Sequence, residues 1–305
     1  MSADTKHKGD NSTIFCAGCG IAGVDDVKLK KCACKLVQYC SVECQKDHRP
    51  KHKKECKKRA AELRDELLFK QPESSHFGDC PICCLPLSLD HQKRGFMACC
   101  SKIICLGCDF ANKMREIEAR LQQKCPFCRH PPPKSQEEAE KILMKRVEAN
   151  DPVAMCQMGV FRDKAGHHSD AIEYFTKAVA FGNDFEAHFQ LSQMYHDGEG
   201  VERNEKKEVY HLEEAAIGGH AFARHNLAVE EEKKCKVDRA IRHWIIAANI
   251  GSDKALHSLK LLYRKGLVSK EDFAAALRGY QAAVDATKSP QRERAEQWYR
   301  MKNGG

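Results

Sequence analysis

From about Glu137 onward, polar and apolar positions fall into a repeating helical pattern. The stretch is rich in Ala, Leu, Glu and Lys and has almost no internal proline. Ala154, Ala187, Ala223 and Ala255 open similar segments, AMCQMGV, AHFQLSQMY, ARHNLAV and ALHSLKLLY, at spacings of 33, 36 and 32. The first three are each followed by a run of small residues closed by glycine: KAVAFG to Gly182, EAAIGG to Gly219 and AANIG to Gly251. Small residues let paired helices approach closely, and a terminal glycine is suited to a left-handed C-cap. Two helices in roughly 35 residues, stacked in series, predict an α-solenoid.

The pattern upstream is different. Residues 57–70, KKRAAELRDELLFK, place Ala61, Leu63, Leu67 and Leu68 at near-helical spacing and predict a short connecting helix. QPESS at 71–75 reads as a linker, and the three prolines of HPPPKSQ at 130–136 cannot continue a helix. The expected organisation is a disordered 1–13, a first cysteine cluster at 14–56 and a helical linker at 57–77. A second cluster at 78–131, a solenoid at 137–290 and a tail at 291–305 complete it.

Cysteine changes the picture most. Of 18 cysteines, only Cys156 and Cys235 lie beyond Cys128, and these two read as packing thiols. The polar first residues lack the apolar core of a signal peptide, and WIIAANI is too short to span a bilayer. The expected compartment is therefore reducing, cytoplasmic or nuclear, with no membrane partner. Cysteines there are metal ligands more often than disulfides.

In the first cluster the spacing reads Cys16-x-x-Cys19, Cys32-x-Cys34, Cys40-x-x-x-Cys44 and His52-x-x-x-Cys56. Eight N and S donors suffice for two tetrahedral zinc ions. The string YCSVECQKDHRPKHKKEC closely resembles the MYND zinc finger over residues 16–56. The resemblance implies interleaved sites: Cys16, Cys19, Cys40 and Cys44 on one zinc, and Cys32, Cys34, His52 and Cys56 on the other. It also implies binding of proteins, often of proline-containing peptides, and no catalysis. Two departures stand out. The second pair is one residue short of Cys-x-x-Cys, and His48 replaces the tryptophan usual before the last histidine. His48 competes with His52 as a ligand, and spacing favours His52.

The second cluster holds CPICC (80–84), ACCSKIICLGC (98–108) and CPFCR (125–129). It resembles an all-cysteine RING finger over about 78–131. The resemblance implies one zinc on Cys80, Cys83, Cys105 and Cys108 and another on Cys99, Cys100, Cys125 and Cys128. Adjacent Cys99 and Cys100 demand an awkward chain path, so Cys84 or His91 stands as an alternative ligand. Four protein ligands leave no open position for water, which argues against a zinc hydrolase or deaminase. By the same resemblance, Ile82 and Pro126 would dock a ubiquitin-conjugating enzyme. Arg129 would bridge that enzyme and ubiquitin, which is catalysis by positioning.

The repeats resemble the Sel-1-like class of the tetratricopeptide superfamily over about 150–285. The Ala-x-x-x-Leu starts, the loop YHDGEGVERN at 195–204 and the Ala-Ala-x-x-Gly ends carry this resemblance. The order of modules resembles a family of RING, MYND and Sel-1-like proteins over nearly the whole chain. The implied fold is multidomain: two small cross-brace zinc domains followed by an all-α solenoid of helix pairs. The implied cofactor is four structural zinc ions.

Charge separates the remaining readings. The formal net charge is +8, and residues 28–70 alone hold 14 Lys and Arg against 6 Asp and Glu. Fifteen thiolates and four Zn²⁺ would shift the chain by −7, leaving about +1. Much of the lysine excess then offsets anionic zinc centres rather than marking a nucleic-acid surface. Three functions are carried forward: a RING-type ubiquitin ligase that recruits substrates through MYND and repeats, a non-catalytic interaction scaffold, and a nucleic-acid-associated regulator. A lysine methyltransferase is excluded for want of an Asn-His-x-Cys element. No Walker A loop, dinucleotide fingerprint or nucleophile elbow occurs.

Overall fold

The computed structural model describes residues 15–23 and 28–303. The expected disorder of residues 1–13 lies outside them. The chain divides into two compact units, Met1–Leu68 and Phe69–Gly305.

The first unit is built on very little secondary structure. Strands β1 (Lys30–Lys31) and β2 (Gln38–Tyr39) pair antiparallel, and a bridge joins Cys16 to Gln38. Helix α1 (Val42–Leu68) follows. Its buried centre is Cys16, Cys32, Cys34 and Tyr39, with too little hydrocarbon to hold a domain this small without a metal or other cross-link. The connecting helix expected at 57–70 is not separate. It is the second half of α1, which runs without a break from Val42 through Pro50 to Leu68. A helix of 27 residues extends about 40 Å at 1.5 Å per residue. It carries most of the basic stretch noted above.

The second unit opens with the segment 69–78, and this is no free linker. Phe69 packs 4.6 Å from the His243 ring, with the Arg242 guanidinium 3.8 Å above it. The Gln71 side chain bonds to Ile246 O and to the Asn249 side chain. His76 N–H donates to Gly219 O. The QPESS stretch is therefore flanked on both sides by contacts with the repeats.

A small finger follows. Strands β3 (Arg94–Met97) and β4 (Lys102–Cys105) form an antiparallel hairpin, and α2 (Leu106–Glu118) leaves its end. Cys80, Leu87, Ile104, Cys105 and Cys108 make its core. Helix α3 (Gln136–Glu148) starts at the N-cap Ser135, just beyond the prolines.

The repeats are helix pairs: α4 (Pro152–Lys164) with α5 (His168–Gly182), and α6 (Phe185–Asp197) with α7 (Glu205–Ile217). They continue as α8 (Ala221–Lys233) with α9 (Val237–Ala248), and α10 (Asp253–Arg264) with α11 (Lys270–Ala286). Ala154, Ala187, Ala223 and Ala255 are all fully buried. Each is the third residue of its helix. The backbone N–H of each donates to the N-cap side chain three residues earlier, from Asp151, Asp184, His220 and Ser252 respectively. The repeat is thus written twice, as a buried alanine and as the cap that starts its helix.

The glycines divide in role. Gly219 and Gly251 take left-handed backbone, as expected, with φ of +84° and +90°. Gly182 does not. It ends α5 in helical conformation, and Asn183 takes the left-handed position at φ +48°. Gly182 answers instead to space, because a Cβ there would collide with the Pro152 ring. Cys156 is buried as expected, but Cys235 is exposed in a turn at φ +57° and packs no core. The expected tail at 291–305 is also corrected. Its described part belongs to α12 (Pro290–Asn303), which packs against α2 of the finger. Among the described residues no helix is long and apolar enough to cross a membrane.

Candidate metal centres

Four groups of donors converge: Cys16, Cys19, Cys40, Cys44; Cys32, Cys34, His52, Cys56; Cys80, Cys83, Cys105, Cys108; and Cys99, Cys100, Cys125, Cys128. Within each, the ligand atoms lie within 4.8 Å of one another. A tetrahedral ion with Zn–S bonds of about 2.3 Å sets its sulfurs about 3.8 Å apart. The contacts fit that scale. Cys19 and Cys40 are 3.5 Å apart, Cys40 and Cys44 3.6 Å, and Cys32 and Cys56 3.4 Å. In the second finger, Cys83 and Cys105 are 3.8 Å apart, Cys100 and Cys125 3.9 Å, and Cys99 and Cys128 3.3 Å. A disulfide would need about 2.05 Å, and all of these cysteines are free. Donor chemistry and spacing both fit structural zinc, and each complete set of four leaves no position for a reacting water.

The chain reaches these positions by local geometry. Cys44, His52 and Cys56 lie on α1 at four- and eight-residue intervals, hence on one face. His52 turns Nε2 to within 3.1 Å of Cys34 Sγ, while Glu55 lies 3.7 Å from its Nδ1. His48 takes the other course. Its Nδ1 is 3.0 Å from the Tyr39 hydroxyl, and its ring stacks on His52. The adjacent Cys99 and Cys100 reach a common centre because the β3–β4 turn is tight. Cys100 N and Ser101 N both donate to Met97 O, and Ser101 adopts φ +54°. The group so formed uses neither Cys84 nor His91.

Electrostatics within a set call for a cation. The Cys105 thiol and backbone N–H groups hold Cys80 down at about 4, while its thiolate helps push Cys105 upward. Cys19 and Cys40 backbone N–H groups lower Cys16 to about 6, and Cys40, bonded to Cys19 and Cys16, rises to about 12. One thiolate thus suppresses the next. Two or more coexist only around a positive ion.

The RING resemblance gives Arg129 the role of bridging the conjugating enzyme and ubiquitin. The structure gives it a partner. Nη2 lies 2.7 Å from Glu116 Oε1, and Nη1 donates to Asn112 Oδ1 at 2.8 Å. Glu116 is fully buried and also accepts from Lys124 N–H and Asn112 Nδ2. Burial works to raise its carboxyl, but the Lys124 N–H and Arg129 outweigh it and hold the pKa below the ordinary value. Cys108, Asn112 and Glu116 fall four apart on α2, a spacing that could have flagged this stripe from sequence. Ile82 is 41% exposed and Phe127, beside the half-buried Pro126, is 43% exposed.

A further group joins His76, Glu186 and His220. Both histidines set Nε2 3.2 Å from Glu186 Oε2. His220 Nδ1 already accepts the Ala223 N–H. A neutral ring then carries its proton on Nε2 and donates it to Glu186, which leaves no lone pair there for a metal. Burial lowers His76 to about 4, so its ring is neutral at pH 7. This is a hydrogen-bonded clamp tying segment 69–78 to the repeats. It borders a cleft of about 830 Å³ between the finger and the starts of α4 and α6, lined by Phe77, Arg94, Phe96, Val153 and Phe185 among others.

Residues 16–56 match the family model of the MYND finger. The match covers the first unit's two metal groups. The sequence has no match among curated proteins. Among the solved structures that resemble the chain are two repeat proteins. A protective antigen of uropathogenic Escherichia coli displaying an SLR fold is 21% identical over 54% of this chain and 36% of its own, with a TM-score of 0.39. This chain thus spans about a third of that protein. A Sel1 repeat protein from Oxalobacter formigenes is 21% identical over 65% of this chain and 86% of its own, with a TM-score of 0.44. Within the MYND finger, the histidine at the usual tryptophan position is thus accounted for. His48 stacks on the candidate ligand His52 and is itself held by the Tyr39 hydroxyl.

Proposed function

We propose that this chain is a zinc-stabilised protein-interaction scaffold. Its MYND finger, RING-like finger and helical repeats would each present a surface to other proteins, the MYND finger to proline-containing segments. The observation that carries the choice over a ligase is the Arg129–Glu116 pair. A guanidinium committed to a buried carboxylate holds the finger together, and leaving it for ubiquitin would cost that carboxylate its nearest counter-charge, with only Arg115 at 3.6 Å remaining. The cleft beside the clamp suits a peptide segment.

A RING-type ubiquitin ligase is the second reading. Its support is the exposure of Ile82 and Phe127 on the zinc loops, where a conjugating enzyme would dock. The deciding experiment is autoubiquitination by zinc-loaded protein with a panel of conjugating enzymes, beside Ile82→Ala and Arg129→Ala. The scaffold reading expects no polyubiquitin from protein shown to hold four zinc ions. Product formed by wild type and lost in Ile82→Ala would replace it with the ligase.

A further inference from the structure

Helix α12 returns to the finger. Trp298 lies 5.3 Å from Phe110 of α2, Gln291 donates to Gly107 O, and Lys93 pairs with Glu296 at 3.0 Å. The backbones meet at Gly107. A Cβ there would sit 2.8–3.0 Å from Arg292 Cγ, Cα and N, so only glycine admits the helix.

Through this contact Arg292 enters the finger. It is 6% exposed. Nη1 donates to Pro86 O at 2.6 Å and Thr287 O at 2.8 Å. Nη2 donates to Leu85 O at 3.1 Å and to Cys83 Sγ at 3.3 Å. Three of these partners are carbonyls, and none is a carboxylate. A guanidinium does not lose its proton, and a buried cation is costly without a counter-charge. The fourth partner is the sulfur of Cys83, a member of the Cys80, Cys83, Cys105, Cys108 set. Four thiolates around Zn²⁺ carry a net charge of −2.

We propose that Arg292 is the outer charge partner of this zinc centre, so that zinc retention there and docking of the C-terminal helix are one coupled equilibrium. The N–H donated into Cys83 Sγ helps hold that sulfur on the centre. The anionic centre in turn supplies the counter-charge that lets Arg292 be buried. Linkage makes the effect reciprocal: whatever empties the centre loosens α12, and whatever removes Arg292 loosens the ion. The coupling holds under either reading of function.

The test uses full-length, zinc-loaded protein challenged with a chelator. Alkylation of each cysteine is followed by mass spectrometry. Arg292→Met keeps the aliphatic stem without the charge, and Arg294→Met, on an exposed neighbour, is the control. Loss of such an outer partner typically weakens metal binding 10–100-fold. We expect Cys80, Cys83, Cys105 and Cys108 to be labelled about 10–100-fold faster in Arg292→Met, with the MYND cysteines and the Arg294→Met protein unchanged. The reverse arm needs no variant. As chelator empties that set in wild type, amide exchange in residues 290–303 should rise in step. Labelling of Arg292→Met at the wild-type rate would overturn the proposal, as would α12 amides that stay protected after the set is fully alkylated. Should Arg292→Met misfold throughout, the wild-type arm decides alone.

Discussion

Glu116 is wholly enclosed by the finger, and its Oε1 stands 2.7 Å from the half-exposed guanidinium of Arg129. The residue that family resemblance assigns to ubiquitin is therefore also a structural counter-ion, so loss of activity in Arg129→Ala would not by itself identify a ligase.

Arg129→Ala should destabilise the finger by about 1–3 kcal/mol, the range for an unsatisfied buried acceptor. That is less than the cost of breaking a fully buried pair, because Arg129 is 45% exposed and water replaces part of it. The double variant Glu116→Gln/Arg129→Ala should recover part of the loss. Melting temperatures of the three proteins, zinc-loaded, check this. A double variant no more stable than Arg129→Ala would sink the charge argument.

The same pair sets a pH dependence. Glu116 has a depressed folded pKa. Its contribution is therefore fully present above the unfolded value of about 4.3 and is lost as pH falls through the lower folded value. Wild type should gain stability relative to Glu116→Gln as pH rises to about 5 and then hold that advantage. Denaturant midpoints of both proteins between pH 3 and 7 measure the difference directly.

His52→Ala should lower the zinc content from four ions per chain toward three, because Nε2 faces Cys34 and its set loses a donor. His48→Ala should keep four, since His48 bonds Tyr39 instead. Elemental analysis after gel filtration separates the two. Equal loss from both would mean that His48 ligates.

In the repeats, Ser252→Ala removes a cap and should cost about 1 kcal/mol. Gly218→Ala should cost more, about 1–3 kcal/mol, because a Cβ there would overlap the Phe185 ring. Thermal unfolding followed by helical circular dichroism would show the order reversed if close helix approach did not matter.

Much of this was readable from residue spacing alone. Zinc chemistry follows from paired cysteines, and the alanine register follows from its 33-, 36- and 32-residue intervals. The N-caps Asp151, Asp184, His220 and Ser252 stand three residues before each alanine, but their mixed chemistry hides that pattern in the sequence. What spacing cannot carry is contact between distant segments. The spacing of apolar residues marked only 57–70 as helical, yet the helix begins at Val42 and runs through Pro50. Its candidate ligands Cys44, His52 and Cys56 share one face, so binding of a metal there would favour continuity over local propensity. The clamp of His76 on Glu186, the seat of Phe69 and the entry of Arg292 each join residues more than a hundred positions apart.

That last separation has a consequence for how the molecule is made. Cys83 and Arg292 are 209 positions apart. A ribosome adding about 5–20 residues each second needs about 10–40 s to travel between them. Once Cys108 is added, early in that interval, all four sulfurs of the set are synthesised while the guanidinium is not. A nascent centre that binds its ion in that interval holds it without the Arg292 guanidinium.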